Sequence, residues 1–104
     1  MDNKVTVTCF RFWSDWTDLV PVEINIDEYN WFEVQYRQDR WFIIGAEFIN
    51  EKWRYTDLTI HGIVSTHDVA KFVKVANNKI NKFSTLNSFP NLISHIKDVI
   101  KLMD

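Results

Sequence analysis

Three titratable residues lie close together in the sequence and could take part in chemistry. His61, His67 and Asp68 would offer an imidazole–carboxylate pair for proton transfer, or three ligands for a metal ion. Zinc sites usually carry spacings such as CxxC or HExxH, which put the ligands on one turn or one helical face, and neither spacing occurs here. The simpler interpretation is that His61 ends a strand and His67 lies in the first turn of a helix. The sequence therefore predicts neither a metal site nor a cofactor.

Cysteine and glycine usage also argues against catalysis. Cys9 is the single cysteine and continues the apolar alternation of Val5 and Val7, where a free cysteine usually serves as a small buried hydrophobe. Phosphate-binding loops need several glycines in one turn, whereas Gly45 and Gly62 stand alone. No pair of carboxylates has a spacing that identifies a catalytic site. We therefore expect a protein that is not an enzyme.

Aromatic residues and acidic residues are concentrated in the same part of the chain. Thirteen of the sixteen aromatic residues, including all five tryptophans, lie between Phe10 and Tyr55. Residues 1–68 carry twelve acids and six bases, a net charge of −6, whereas residues 69–104 carry two acids and six lysines, a net charge of +4. An acidic, aromatic half repels phosphate groups and attracts a basic partner, which disfavours nucleic acid as the ligand.

Hydrophobic periodicity predicts the strands that would position these residues. The first half contains segments of period-two alternation or continuous apolar character, separated by short polar turns. The turn between the third and fourth strands is assigned to Gln38, Asp39 and Arg40. The predicted strands cover 5–13, 20–26, 31–37, 41–49 and 53–60. Short sequential turns favour an antiparallel meander.

The hydrophobic period changes from two to 3.6 after Ser65. Ser65 and Asp68 have the spacing of a capping box, so a helix is predicted from there to Lys82. A second start signal at 88–90 predicts a closing helix to about residue 103. Its predicted apolar stripe is Leu92, Ile93, Ile96, Val99, Ile100 and Met103. The predicted fold class is α+β, an antiparallel four- to five-stranded meander sheet followed by two C-terminal helices packed on one face. Residues 1–104 are expected to form one domain.

Two helices can cover only one face of such a sheet. If the turn between the third and fourth strands contains three residues, alternation places even-numbered residues of both strands on the covered face. These residues are Phe32, Val34, Tyr36, Phe42, Ile44, Ala46 and Phe48. The opposite face is then the predicted partner-binding surface, with anchors at Trp31, Trp41 and Asp57 and with Glu33 supporting them. Its full predicted membership is Trp31, Glu33, Arg37, Trp41, Trp53, Tyr55 and Asp57. Tryptophan, tyrosine and arginine are the residues enriched in binding hot spots.

These features predict a small acidic inhibitor that binds and neutralises a basic protein, as proteins of the toxin-immunity or phage-inhibitor type do, with a nuclease toxin as one such partner. An acidic surface would suit a basic nuclease site by imitating phosphate charge. A single cysteine, no signal-peptide pattern at the start and no long apolar run predict a cytoplasmic protein without membrane association. Two alternatives to a partner-binding role for the aromatic face are a homodimer contact and a curled sheet in which these tryptophans fill a second small core.

Two further functions remain open at this level. The first is a small-molecule-binding domain or small enzyme with an apolar pocket between sheet and helices, lined by Trp13, Tyr36, Trp41, Arg54 and His61. The second is a single-stranded nucleic-acid binder that stacks bases on Trp31, Trp41 and Tyr55 beside Arg37 and Arg54. A deep cavity would favour the first, and the acidic first half counts against the second.

Overall fold

The computed structural model describes residues 3–13, 16–85 and 92–103. These residues form strands and helices that confirm the α+β fold class. In chain order the elements are β1 (Lys4–Trp13), β2 (Trp16–Asn25), β3 (Trp31–Arg37), β4 (Arg40–Ile49), β5 (Lys52–Asp57), α1 (Thr66–Ala76), β6 (Ile80–Thr85) and α2 (Leu92–Lys101). The start signal inferred at 88–90 lies outside the described residues.

Strands β1 and β2 form a long antiparallel hairpin, in register from Lys4 opposite Asn25 to Trp13 opposite Trp16. Pro21 lies opposite Thr8 in this register. Proline has no N–H to donate to a ladder, so it is tolerated where that group would point away from the partner strand. Within the described sheet β2 pairs with β1 alone, so Pro21 lies on an edge strand, where proline is tolerated.

Strands β3, β4 and β5 form the predicted meander through two tight turns. Gln38 and Asp39 have φ values of 53° and 60°, and Asn50 and Glu51 have φ values of 51° and 65°. Two central residues with positive φ are the signature of the hairpin turn whose twist matches that of a sheet. Each turn therefore contains two residues, so Arg37 pairs with Arg40 and Ile49 pairs with Lys52.

The helix that was predicted to reach Lys82 ends at Ala76, and this part of the prediction is wrong. Residues 77–79 form a short 3-10 turn, after which the chain enters strand β6. Strand β6 pairs in parallel with β3, so the four-stranded sheet is mixed and has the order β5-β4-β3-β6. The Lys79 ammonium donates to the carbonyl oxygens of Ile26 at 3.2 Å and Tyr29 at 3.0 Å. These bonds hold the end of the helix against the chain that enters β3.

A short segment around Ile63 joins the hairpin to the four-stranded sheet. Ile63 forms isolated antiparallel bridges both to Cys9 of β1 and to Trp41 of β4. The Ile63 N–H donates to the Trp41 carbonyl at 2.7 Å, and the Phe10 N–H donates to the Gly62 carbonyl at 3.0 Å. Backbone hydrogen bonds through this one segment therefore connect the two sheets.

Both helices contribute to one hydrophobic core. The Ser65 hydroxyl accepts from the N–H groups of His67 and Asp68, which confirms the predicted start of α1. Phe72 of α1 then packs edge-on against Phe32 of β3, with ring centroids 4.9 Å apart. The core cluster is Val5, Val7, Cys9, Ile24, Ile26, Phe32, Val34, Trp41, Ile43, Ile63, Val69, Ala70, Phe72, Val73, Ala76 and Ile96.

Helix α2 packs through Ile96, with Val99 and Ile100 partly buried beside it. Truncating Ile96 to alanine should lower the free energy of unfolding by about 2–4 kcal/mol, because it removes buried methyl groups and leaves a cavity. Lys97 is exposed, so Lys97→Ala is the matched control and should stay within about 0.5 kcal/mol of wild type. Urea denaturation followed by circular dichroism measures both. Equal stability of the two variants would show that α2 does not dock through Ile96.

Gly62 sits in the joining segment with φ of +95°, and a Cβ there would lie 2.7 Å from the Cβ of Arg40. Gly62→Ala should therefore destabilise the protein by about 1–3 kcal/mol, through left-handed backbone strain and the displacement of β4. Ile60 in the same loop is 70% exposed, and Ile60→Ala should change stability by less than about 0.5 kcal/mol. Thermal denaturation of both variants tests the expectation. A Gly62→Ala protein as stable as wild type would contradict the described joint.

Candidate functional site

The register of β3 and β4 determines which side chains share a sheet face. Tyr36 pairs with Trp41 and Gln35 pairs with Phe42, and directly paired residues point to the same side. The predicted place of Trp41 on the partner-binding face is therefore wrong. Trp41 points into the core, is 3% exposed, and packs edge-on against Tyr36 with ring centroids 4.9 Å apart.

The same register places four residues that were predicted for the covered face on the opposite side of the sheet. Phe42, Ile44, Ala46 and Phe48 were assigned to the covered face, but they share a side with the odd-numbered residues of β3. We call this side the outer face; its members on β3, β4 and β5 are Trp31, Glu33, Gln35, Arg37, Arg40, Phe42, Ile44, Ala46, Phe48, Trp53, Tyr55 and Asp57. Six of the seven predicted binding residues thus lie on the outer face, and only Trp41 does not.

Tryptophans from two strands meet across β4 on the outer face. The rings of Trp31 and Trp53 stack with centroids 4.1 Å apart and an interplanar angle of 21°, and Phe48 lies 4.9 Å from Trp53. Ala46 occupies the β4 position that pairs with both Trp31 and Tyr55. Its small side chain leaves room for the indole rings to approach above the middle strand. The three rings of Trp31, Phe48 and Trp53 form what we call the aromatic cluster.

The aromatic cluster is partly open to solvent. Trp53 is 40% exposed and Phe48 is 50% exposed, while Tyr55, the next outward residue of β5, is 59% exposed. A folded domain gains free energy by burying such rings, so a group of partly exposed rings on one face is typical of an interaction surface. Sequence reasoning missed Phe48 because it assigned the wrong parity to β4. Phe42 also lies on the outer face but is buried, at 4% exposed.

A polar track runs along β3 beside the aromatic cluster. Gln35 donates to Glu33 at 3.1 Å and accepts from the Arg37 Nε at 3.3 Å. The Arg37 guanidinium also lies 3.6 Å from a carboxylate oxygen of Asp57 on β5 and 3.9 Å from the centroid of the Phe42 ring. Arg37 therefore covers Phe42 and is held in place by partners on both sides. Charged side chains fixed in this way can select a partner by charge with little loss of conformational entropy.

The three titratable residues singled out in the sequence lie between β5 and the first turn of α1, and each has a contact that involves a backbone group. The Asp68 carboxylate accepts the backbone N–H of Thr8 at 2.8 Å, so it serves to fix α1 against β1. His67 lies in the first turn of α1 as expected, and the His61 carbonyl accepts from Arg40 at 3.2 Å. In the part of the chain that the structure describes, no three His, Cys, Asp or Glu side chains are grouped as a metal site.

Among the described residues proposed for a pocket, two lie at the core and one lies at the surface. The rings of Tyr36 and Trp41 pack against each other at the core, whereas Arg54 is exposed and pairs with Glu47 at 2.9 Å. The side chain of Trp13 lies outside the described residues. The base-stacking set is also divided, because Trp41 is buried and Arg54 alternates with Tyr55 onto the other side of β5.

No protein-family model matches the chain, and comparisons with curated proteins and with solved structures give no significant match either. Of the helices described, none combines the length and the apolar character needed to span a membrane.

Cys9 is buried on the core side of β1, as the apolar alternation of this strand predicts. Burial raises the pKa of its thiol from 9.0 to about 11, and the negative charges of Asp68 and Asp57 make smaller contributions to this rise. The folded protein therefore holds this proton more tightly than the unfolded chain between pH 9 and 11. The resulting stability is fully present below pH 9 and is lost as the pH rises toward 11, by about 2–3 kcal/mol.

The Cys9→Ala variant isolates this effect from other groups that titrate at high pH. Wild type should lose about 2–3 kcal/mol more than Cys9→Ala between pH 8.5 and 11, as measured by urea denaturation at each pH. Parallel loss of stability in the two proteins would show that the Cys9 thiol is not protected by burial.

Proposed function

We propose that this protein is a non-catalytic binding protein that attaches to a basic protein partner through the outer face, in the manner of small inhibitors of the toxin-immunity type. The observation that carries the proposal is the partly exposed aromatic cluster beside Tyr55. The core already contains Phe32, Phe72 and Trp41, so the outward rings are additional to it. Rigid aromatic side chains lose few rotamers on binding, which is why they act as anchors in interfaces.

The arrangement of the outer face fits the anatomy of an interface. Phe48, Trp53 and Tyr55 would form an apolar centre, and Glu33, Arg37 and Asp57 would form a charged border on one side of it. Interfaces typically bury an aromatic centre and leave a polar rim that controls the choice of partner.

The charge of the partner follows from the sequence surrounding this face. Residues 1–68 have a net charge of −6. They contain every residue of the outer face on β3, β4 and β5. Arg37 is engaged with Asp57 and Phe42, and Glu33, which accepts from Gln35 at 3.1 Å, is a border acid that a cation of the partner would contact. A negative field of this kind accelerates association with a basic protein and repels an acidic one. A nuclease, whose substrate site is basic, is a partner of this chemistry.

Substitution of one anchor tests the proposal. Trp53→Ala should weaken binding of the captured basic partner by about 2–4 kcal/mol, because it removes a large ring from the centre of the interface. Leu19 on β2 is also exposed, at 57%, and Leu19→Ala is the matched control that should bind as wild type. The measurement is affinity capture with the tagged protein, followed by calorimetry on the purified partner.

The rim can be tested with the same partner. Glu33→Gln keeps the shape of the side chain and should lower the association rate and its dependence on salt, with little change in the dissociation rate. Equal capture by Trp53→Ala and Leu19→Ala, at unchanged stability, would overturn the proposal. A wild-type dimer that Trp53→Ala converts to a monomer would assign the outer face to self-association and equally overturn it.

A further inference from the structure

A second surface is a groove between β1 and α1, with a volume of about 480 Å³. We call it the β1-edge groove. It is lined by Lys4, Val5 and Thr6 of β1, by Lys71, Lys74 and Val75 of α1, and by Met103 after α2. The outer face contributes nothing to it, so it requires an explanation of its own.

The backbone of β1 presents hydrogen-bonding groups to this groove. The Ile26 N–H donates to the Asn3 carbonyl at 2.8 Å, so Asn3 and Ile26 form a hydrogen-bonded pair. Hydrogen-bonded pairs alternate with non-hydrogen-bonded pairs along antiparallel strands. Thr6 and Glu23 lie three positions further along, so they form a non-hydrogen-bonded pair. The N–H and C=O of Thr6 therefore point away from β2. An edge strand of this kind is a template for pairing with another chain.

At Thr8, two positions further along β1, the backbone groups on this edge already have hydrogen-bond partners within the chain. The Thr8 N–H is taken by the Asp68 carboxylate at 2.8 Å, and the Thr8 carbonyl accepts from Val64 at 3.3 Å. In the described structure the side of β1 away from β2 is bridged at Cys9. Residues 4–6 thus offer a short length of strand edge that ends where α1 begins.

The groove has a basic border and an apolar floor. Three lysines surround it, while Val75, which is 48% exposed, and Met103 supply apolar surface. Lys4 lies 3.6 Å from Glu23 and Lys71 lies 3.7 Å from Asp68. The Lys4–Glu23 pair is exposed on both sides and worth little, so a carboxylate on a ligand can compete for Lys4. Lys71 is 40% exposed and can meet the ligand from the solvent side, although its partner Asp68 is only 15% exposed.

We propose that the β1-edge groove takes an extended acidic peptide segment of a protein partner, which adds as a further strand along residues 4–6. Main-chain hydrogen bonds to Thr6 supply the alignment, and acidic side chains of the peptide meet Lys71 and Lys74. Strand addition beside a helix is an established mode of peptide recognition, in which the backbone gives affinity and alternating side chains give specificity. The inference goes beyond the proposed function and does not depend on the outer face.

The test uses a fluorescein-labelled pentapeptide of alternating Val and Glu as the probe and the full chain as the receptor. Fluorescence anisotropy should give a Kd tighter than about 1 mM. The same peptide with its backbone nitrogens methylated should lose binding, because it cannot complete a ladder. In the NMR spectrum the Thr6 amide should shift and become protected from hydrogen exchange when the unmodified peptide is added.

Receptor variants separate the contributions of charge and backbone. Lys71→Glu together with Lys74→Glu should weaken binding by about tenfold or more, whereas Lys97→Glu and Lys101→Glu on α2 should not. Thr6→Pro removes the N–H that points into the groove and should abolish binding, whereas Thr6→Val keeps it and should bind as wild type. A Trp53→Ala protein should also bind the peptide normally.

Several results would overturn the inference. These are no binding at millimolar peptide, equal binding of the methylated peptide, equal binding of a Val–Lys peptide, or equal binding by the charge-reversed receptor. Displacement of the peptide by a thymidine decamer that shifts the same lysine resonances more strongly would assign the groove to nucleic acid and also overturn it. Circular dichroism of each variant confirms that the receptor is folded.

Discussion

The two-residue turn at Gln38 and Asp39 is the constraint on which the rest of the structure depends. Because it contains two residues, Arg37 pairs with Arg40, and the odd residues of β3 share a face with the even residues of β4. A strand alternates its side chains with period two, so one more residue in the turn would invert β4 completely. Trp41 would then lie outside and Phe42 inside. Both the core and the outer face follow from this register.

The sequence predicted most elements but not this register. Apolar alternation located the strands, and Ser65 located the start of α1, because these signals are local. The usual sign of a two-residue hairpin turn is Asn-Gly or Asp-Gly, whereas this chain uses Gln38–Asp39 and Asn50–Glu51. With no glycine to mark the turn, its length is selected by packing across the sheet. Sequence alone could not reveal that selection.

Strand β6 was missed for a related reason. Ile80 follows Ala76 at helical spacing, so the apolar period of α1 continues formally beyond the end of the helix. The chain instead leaves the helix at Asn77 and pairs with the open edge of β3. Pairing with β3 satisfies the hydrogen-bonding groups of the β6 backbone. Because the two strands are far apart in the sequence, local hydrophobic periodicity does not reveal this pairing. Six of the seven predicted binding residues nevertheless share the outer face, because their strands β3 and β5 were assigned the correct parity.

The register across Gln38 and Asp39 buries Trp41 and builds the outer face around Trp31 and Trp53. Nuclear Overhauser spectroscopy on the labelled protein can measure this register in solution. We expect contacts of the Trp41 ring with Tyr36 and Ile63, and separate contacts between the Trp31 and Trp53 rings. Contacts of the Trp41 ring with Trp31, Arg37 or Trp53 would contradict it, since they would place Trp41 on the outer face.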